Sequence, residues 1–164
     1  MSKDDRAQDS FTAEVLARVA ARGWALPVPP PPAGLYEPFR LDRGVGYLAS
    51  QLPARDGKYV MPGRVGAELT PAEGREAAAL AALTALARIR QALDGFGRLR
   101  GLLRVDGIVS STDDFREQPG VLDGASEVFV VALGERGKHA RTALAVPRLP
   151  RNNSVSLTVV FAYD

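Results

Sequence analysis

His139-Ala140-Arg141-Thr142-Ala143-Leu144-Ala145-Val146-Pro147-Arg148-Leu149-Pro150 is the stretch that decides how this chain is read. Its first half alternates like a strand: Arg141, Ala143 and Ala145 point one way, and Thr142, Leu144 and Val146 the other. Arg141 therefore opens a largely apolar strand, where a guanidinium is costly to bury unless an anion meets it. From spacing alone the preferred reading is a salt bridge to an Asp or Glu of the same chain, the alternative being an anion from outside it.

The bulk composition narrows the field. The 164 residues suffice for one domain with a sizeable core and are too few for two. Lys and Arg number 21 against 19 Asp and Glu, a formal charge of +2, spread along the chain rather than gathered in a block. That balance argues against a nucleic-acid partner. With no cysteine, disulfides and thiolate catalysis are excluded, and one histidine cannot build a zinc site alone. No metal or other cofactor is expected. The polar, mixed-charge N-terminus does not read as a signal peptide, and no apolar run is long enough for a bilayer, so a cytoplasmic protein with no membrane partner is expected.

Met1 to Gln8 is charged and reads as loose. Ser10 is a candidate cap for a short helix over 11–21, with Val15, Leu16 and Val19 on one side and Gly23 as its stop. Packing of that stripe on the main domain is preferred to docking on a neighbouring subunit. Pro27 and Pro29 to Pro32 force an extended segment, read as a stiff surface connector rather than a ligand for a proline-binding domain. Phe39 to Leu41 and Val45 to Gln51 flank Asp42-Arg43-Gly44 as a hairpin, and Arg55 to Lys58 is a second turn signal.

Thr70-Pro71-Ala72-Glu73 is a capping box with proline at the first helical position. It opens a helix to about Leu93, ended by Asp94-Gly95. Leu80, Leu83, Leu86, Ile89 and Leu93 form its apolar stripe, while Arg75, Glu76, Arg88 and Arg90 are read as lying mainly outside it. The glycines of 95–101 have the wrong spacing to cradle a phosphate and lead into a strand, so a nucleotide loop is rejected. A strand over 102–110 follows, then a helix over 119–133 that turns Val121, Ala125, Val128 and Phe129 inward and stops at Gly134. The Arg141 strand and a last strand over 155–163 complete the chain.

Hairpin, helix, strand, helix and two strands give an α+β domain, a mixed sheet with two helices packed on one face. The sheet's other face then needs cover, and Leu144, Val146, Val155, Leu157 and Val159 are candidates to line it. Ala-Arg-Thr followed by Val146, Leu149 and Pro150 resembles the C-terminal signature of the RidA/YjgF family of reactive-intermediate deaminases. Gly34-Leu35-Tyr36 and Ser50-Gln51-Leu52-Pro53 resemble that family's N-terminal elements, with Ser50 where glycine is usual and Ala49 where serine is common. The resemblance covers Pro32 to Tyr163. It implies the chorismate-mutase-like fold, a homotrimer with clefts between subunits, and a division into an N-terminal extension (1–31) and a RidA-like domain (32–164).

The resemblance also implies chemistry: hydrolysis of a small 2-imino or enamine acid to a 2-oxo acid and ammonia. Arg141 would grip the substrate carboxylate in a two-pronged, charge-assisted clamp, backed by backbone amides around Thr142 and Ala143. Tyr36 would line the cleft, and Gln51 would touch the ligand or hold its loop. The family's general-base glutamate, fifteen residues after the arginine, is replaced here by Ser156, whose hydroxyl is a poor base without help. Asp123 is a second candidate for the missing carboxylate, against a plain solvent-facing acid. His139 is either a base or a hydrogen-bonded structural residue. The alternative function is a relative that binds a small carboxylate metabolite without general deaminase activity. The ribonuclease activity attached to some relatives fits least, because no basic and aromatic surface pattern exists.

Overall fold

In chain order the elements are α1 (Lys3–Ala21), β1 (Phe39–Asp42), β2 (Val45–Leu48), β3 (Ala54–Arg55), β4 (Lys58–Tyr59), α2 (Pro71–Leu93), β5 (Leu99–Ser110), α3 (Gln118–Leu133), β6 (Ala140–Val146) and β7 (Val155–Tyr163). They come from a computed structural model that describes residues 3–164. Five strands form one sheet in the order β1-β2-β7-β5-β6, antiparallel except for the β5–β6 pair. The α+β class with a mixed sheet therefore holds. Among the described residues no helix is long and apolar enough to cross a membrane.

The capping box makes α2 the anchor of the helical layer. Thr70 Oγ1 accepts from the Glu73 amide at 3.2 Å, and Glu73 Oε2 accepts from the Thr70 amide at 2.8 Å. The bond from the Thr70 amide, then that from its hydroxyl, holds the Glu73 carboxyl below its ordinary range. Asp94 in the left-handed conformation closes the helix. α2 and α3 lie on one face of the sheet and touch backbone to backbone at Gly124, where a Cβ would stand 2.2 Å from the Arg75 carbonyl oxygen. Val121, Ala125, Val128 and Phe129 are buried as expected.

α1 adds a third helix, packed on α3 with Val15 and Val19 in the core. Arg22 and Arg75 both pair with Glu127 of α3, so one carboxylate ties α1 and α2 to it. The helix begins earlier than expected. Ser10 lies inside it rather than capping it, because residues 3–9 contain no glycine or proline to stop it. Of the segment expected to be loose, Met1 and Ser2 lie outside the described residues. The proline connector runs from α1 past α2, with Pro30 buried and Val28 exposed.

Register fixes the two faces of the sheet. Val105 pairs with Arg141 and Val159, Gly107 with Ala143 and Leu157, Val109 with Ala145 and Val155. Val105, Val109, Val155, Leu157 and Val159 are all buried in the core with the helices. Val155, Leu157 and Val159 thus do not line the second face, which corrects the expectation. Alternation separates odd from even positions but does not say which set meets the helices. Leu144 and Val146 do stand on the open face, beside Ile108, Ser156 and Val160. Its centre is polar: Arg104 Nε bonds both Asp106 oxygens at 2.8 and 2.9 Å and its Nη2 donates to Thr142 Oγ1 at 3.2 Å.

Candidate functional site

β6 is an edge strand, and its helix-facing row begins with Arg141 rather than with an aliphatic residue. That row meets the first turns of α3, so the guanidinium reaches side-chain and carbonyl oxygens on that stretch of helix. Nη1 donates to Asp123 Oδ1 at 2.8 Å and to Ser126 Oγ at 3.0 Å, and Nη2 to the Pro119 carbonyl at 3.3 Å. Of the two readings open at Arg141, the internal ion pair is the one present. Asp123 keeps 54% of its side chain exposed and Arg141 keeps 22%, so solvent reaches the pair chiefly from the Asp123 side.

Ser126 extends the cluster. His139 Nδ1 lies 2.6 Å from the Gly137 carbonyl, which only accepts, so Nδ1 carries a proton, and Nε2 lies 3.1 Å from the Ser126 hydroxyl. Phe129 meets the imidazole edge-on, 5.6 Å between centroids. His139 is therefore a residue bonded at both ring nitrogens. Ser126, His139, Lys138, Val130 and Arg141 line one open cleft of about 310 Å³. Sequence reasoning missed Ser126, although its position three residues after Asp123 puts both on one helix face.

The other expected residues fall elsewhere. Ser156 shares its row with Ile108 and Leu144 on the open face, so within one protomer it does not meet Arg141. Thr142 faces the same way and bonds Arg104. Burial raises the Asp106 carboxyl there, but bonds from Arg104 and Thr142 outweigh it and leave the acid below its ordinary range. Ala143 follows Arg141 along the helix-facing row. Tyr36 and Gln51 lie at the β2–β7 side of the molecule, away from the β6 edge. Gln51 is buried, exchanges backbone bonds with Leu157 at 2.7 and 2.9 Å and donates to Ala49 O at 2.7 Å; it holds its loop. Tyr36 is half exposed, and its hydroxyl accepts from the Ala33 amide at 3.2 Å.

One expectation on α2 is corrected. Arg88, read as lying outside the apolar stripe, is only 6% exposed. The proline connector covers it, and helical periodicity cannot register a segment that folds back from outside the helix. Among the described residues no group of three His, Cys, Asp or Glu side chains is placed to hold a metal ion. The Arg141 cluster instead offers a cation and a hydroxyl–imidazole pair in one opening, with the Asp123 carboxylate bonded to the cation. Such a set can bind a small anion and move a proton beside it.

Comparison with known proteins bears on this geometry. The family described as "YjgF/chorismate mutase-like, putative endoribonuclease" matches residues 16–163. Protein TCP17 of Trypanosoma cruzi is 33% identical over 144 residues, covering 87% of this chain and 90% of its own. A crystal structure of an Agrobacterium tumefaciens protein of unknown function superimposes with a TM-score of 0.93 at 31% identity, covering 99% of this chain and all of that one. A Shewanella oneidensis MR-1 protein with the same endoribonuclease description gives 0.87 at 30% identity, over 90% and 98% of the two chains. The Agrobacterium match covers 99% of this chain, and the family match begins within α1. The chain belongs to the RidA/YjgF family, with its YjgF/chorismate mutase-like fold.

Proposed function

We propose that this protein hydrolyses small reactive 2-imino acids to 2-oxo acids and ammonium, with Arg141 as carboxylate clamp and Asp123 as the proton-transfer group. The observation that carries the reading is that Arg141 lines an open cleft with the exposed Asp123 carboxylate 2.8 Å from its guanidinium. An exposed ion pair is worth about 0–1 kcal/mol, so an incoming carboxylate that engages the guanidinium fork can displace Asp123. The displaced acid then lies next to the bound substrate. Water adds to the carbon of the protonated imine while Asp123 takes one water proton and returns it to the nitrogen. The resulting carbinolamine breaks its C–N bond, the hydroxyl proton passes to the departing ammonia, and the products are a 2-oxo acid and ammonium. Ser126 and His139 hold Arg141 in place during the exchange. The clefts of the family's trimers would bring a second protomer to this edge, and a homotrimer is part of the proposal.

The test is ammonia release from an imine made in situ by an amino-acid oxidase. Wild type should raise the rate, Arg141→Ala should abolish the gain, and Ser156→Ala should keep it. A second reading, binding of a small carboxylate without hydrolysis, is favoured by one observation: Ser156 supplies no carboxylate and lies on the opposite face from Arg141. Carboxylate binding to wild type with no effect on imine decay would select it.

A further inference from the structure

Ser126 and His139 meet the geometric requirements of a nucleophile and its general base. Ser126 Oγ lies 3.1 Å from His139 Nε2 and accepts from Arg141 Nη1 at 3.0 Å. His139 Nδ1 donates to the Gly137 carbonyl at 2.6 Å. In the neutral imidazole with its proton on Nδ1, Nε2 is the acceptor for the Ser126 hydroxyl hydrogen. The three bonds then run in one direction, from guanidinium to hydroxyl to imidazole to carbonyl. A hydroxyl that accepts from a cation and donates to an imidazole is polarised toward the alkoxide.

The fold fixes this pair and leaves it open to solvent. Gly137, whose carbonyl orients the imidazole, packs so tightly on α3 that a Cβ would stand 2.1 Å from the Phe129 carbonyl oxygen. The Phe129 ring meets the imidazole edge-on from the same helix. The base is thus held by the helix that carries the hydroxyl, as proton transfer between positioned groups requires. Ser126, His139 and Arg141 open together into the cleft of about 310 Å³, beside Lys138 and Val130, the latter 42% exposed. Lys138 is turned to Glu135 at 2.8 Å, which leaves Arg141 as the cation bonded to the hydroxyl.

We propose that Ser126 is a nucleophile toward small acyl esters, with His139 as general base and Arg141 Nη1 as donor to the carbonyl oxygen as it becomes negative. Ser126 Oγ bonds to the ester carbon while its proton passes to His139 Nε2. The ester C–O bond then breaks, and His139 returns the proton to the departing alkoxide. Water repeats the sequence on the acyl-serine: its proton goes to His139, its oxygen bonds to the acyl carbon, and the Ser126 oxygen leaves with that proton. One ester and one water give one acid and one alcohol, with no other reactant. The exposed Val130 side chain favours a short apolar acyl group. This activity is separate from imine hydrolysis. It needs neither an imine nor the Asp123 carboxylate, although both use Arg141.

The experiment treats the full chain with p-nitrophenyl acetate, following nitrophenolate release, and in parallel with a small alkyl fluorophosphonate. The second reagent forms a Ser–O–P bond as its P–F bond breaks; fluoride leaves, and the serine proton passes through His139 to water. Release should rise in proportion to wild-type protein, and peptide mass spectrometry should find the phosphonyl group on Ser126. Ser126→Ala, which removes one half-buried oxygen and serves if the histidine variant does not fold, should abolish both. His139→Gln should slow both by about a hundredfold or more, the scale of a lost general base. The proposal is overturned by no protein-dependent release, by label only on other side chains, by release persisting in Ser126→Ala, or by a smaller loss in a folded His139→Gln. Imine decay is measured on the same samples. A flat imine response with Ser126 labelled strikes only the imine reading, and imine turnover without label strikes only this one.

Discussion

Replacing Asp123 with asparagine separates the two things this carboxylate does. In the resting protein it neutralises Arg141 across 2.8 Å, with 54% of its own side chain in water. Solvent screening limits such a pair to about 1 kcal/mol or less. Asp123→Asn should therefore change unfolding stability by no more than about 1 kcal/mol. The same substitution removes the internal competitor for Arg141, so carboxylate affinity at that site should rise, by at most about fivefold for 1 kcal/mol. Turnover should move the other way. Loss of a positioned proton-transfer group costs about 10²- to 10⁴-fold, far beyond anything the ion pair's energy can explain. The assay pairs urea denaturation with imine-dependent ammonia release and inhibition by the 2-oxo acid product, each on wild type and variant. Turnover within threefold of wild type, or weaker inhibition by the product, would refute the role given to Asp123.

Three further outcomes follow from the packing. Gly124→Ala places a Cβ 2.2 Å from the Arg75 carbonyl oxygen, so α2 and α3 must separate; a loss of about 1–3 kcal/mol is expected. An unchanged Tm would show that the helices yield freely. Glu127 is held below its ordinary 4.5 by the bond from Arg75 and then that from Arg22. A depressed folded-state pKa gives stability that is complete above the unfolded value and is lost as pH falls through the folded one, so Glu127→Gln should flatten the thermal-stability profile below about pH 4.5; equal slopes for both proteins would contradict this. Leu144, 54% exposed on the open face, should be covered in the proposed trimer. Leu144→Asp should then lower the sedimentation mass toward that of a protomer, and a wild type that sediments as a monomer would end the trimer proposal.

Local rules carried the sequence reading wherever the energy was local. The Thr70–Glu73 box, the stops at Asp94 and Gly134 and the inward row of α3 all lie within one or two turns of chain, and each formed. The Arg43-Gly44 turn is similar, since both residues take positive φ and close β1 onto β2. What the sequence left open was decided by contacts between distant segments. Val155, Leu157 and Val159 face the helices because β7 lies between β2 and β5, and alternation alone assigns no face. Arg88 is buried because the proline connector returns over α2 from more than fifty residues away. At the candidate site, Arg141 was legible as a charge opening an apolar strand, and Asp123 only through the family resemblance. Their pairing, and the Ser126–His139 bond behind it, depended on α3 crossing the β6 edge.

The most direct measurement is the decay rate of a 2-imino acid against protein concentration, followed optically in the absence of any trapping amine. The rate should climb in proportion to wild-type protein, with no slope for Arg141→Ala and a slope at least a hundredfold shallower for Asp123→Asn. A flat line for the wild-type chain, while the 2-oxo acid product still binds it, would contradict imine hydrolysis at the Arg141 cleft.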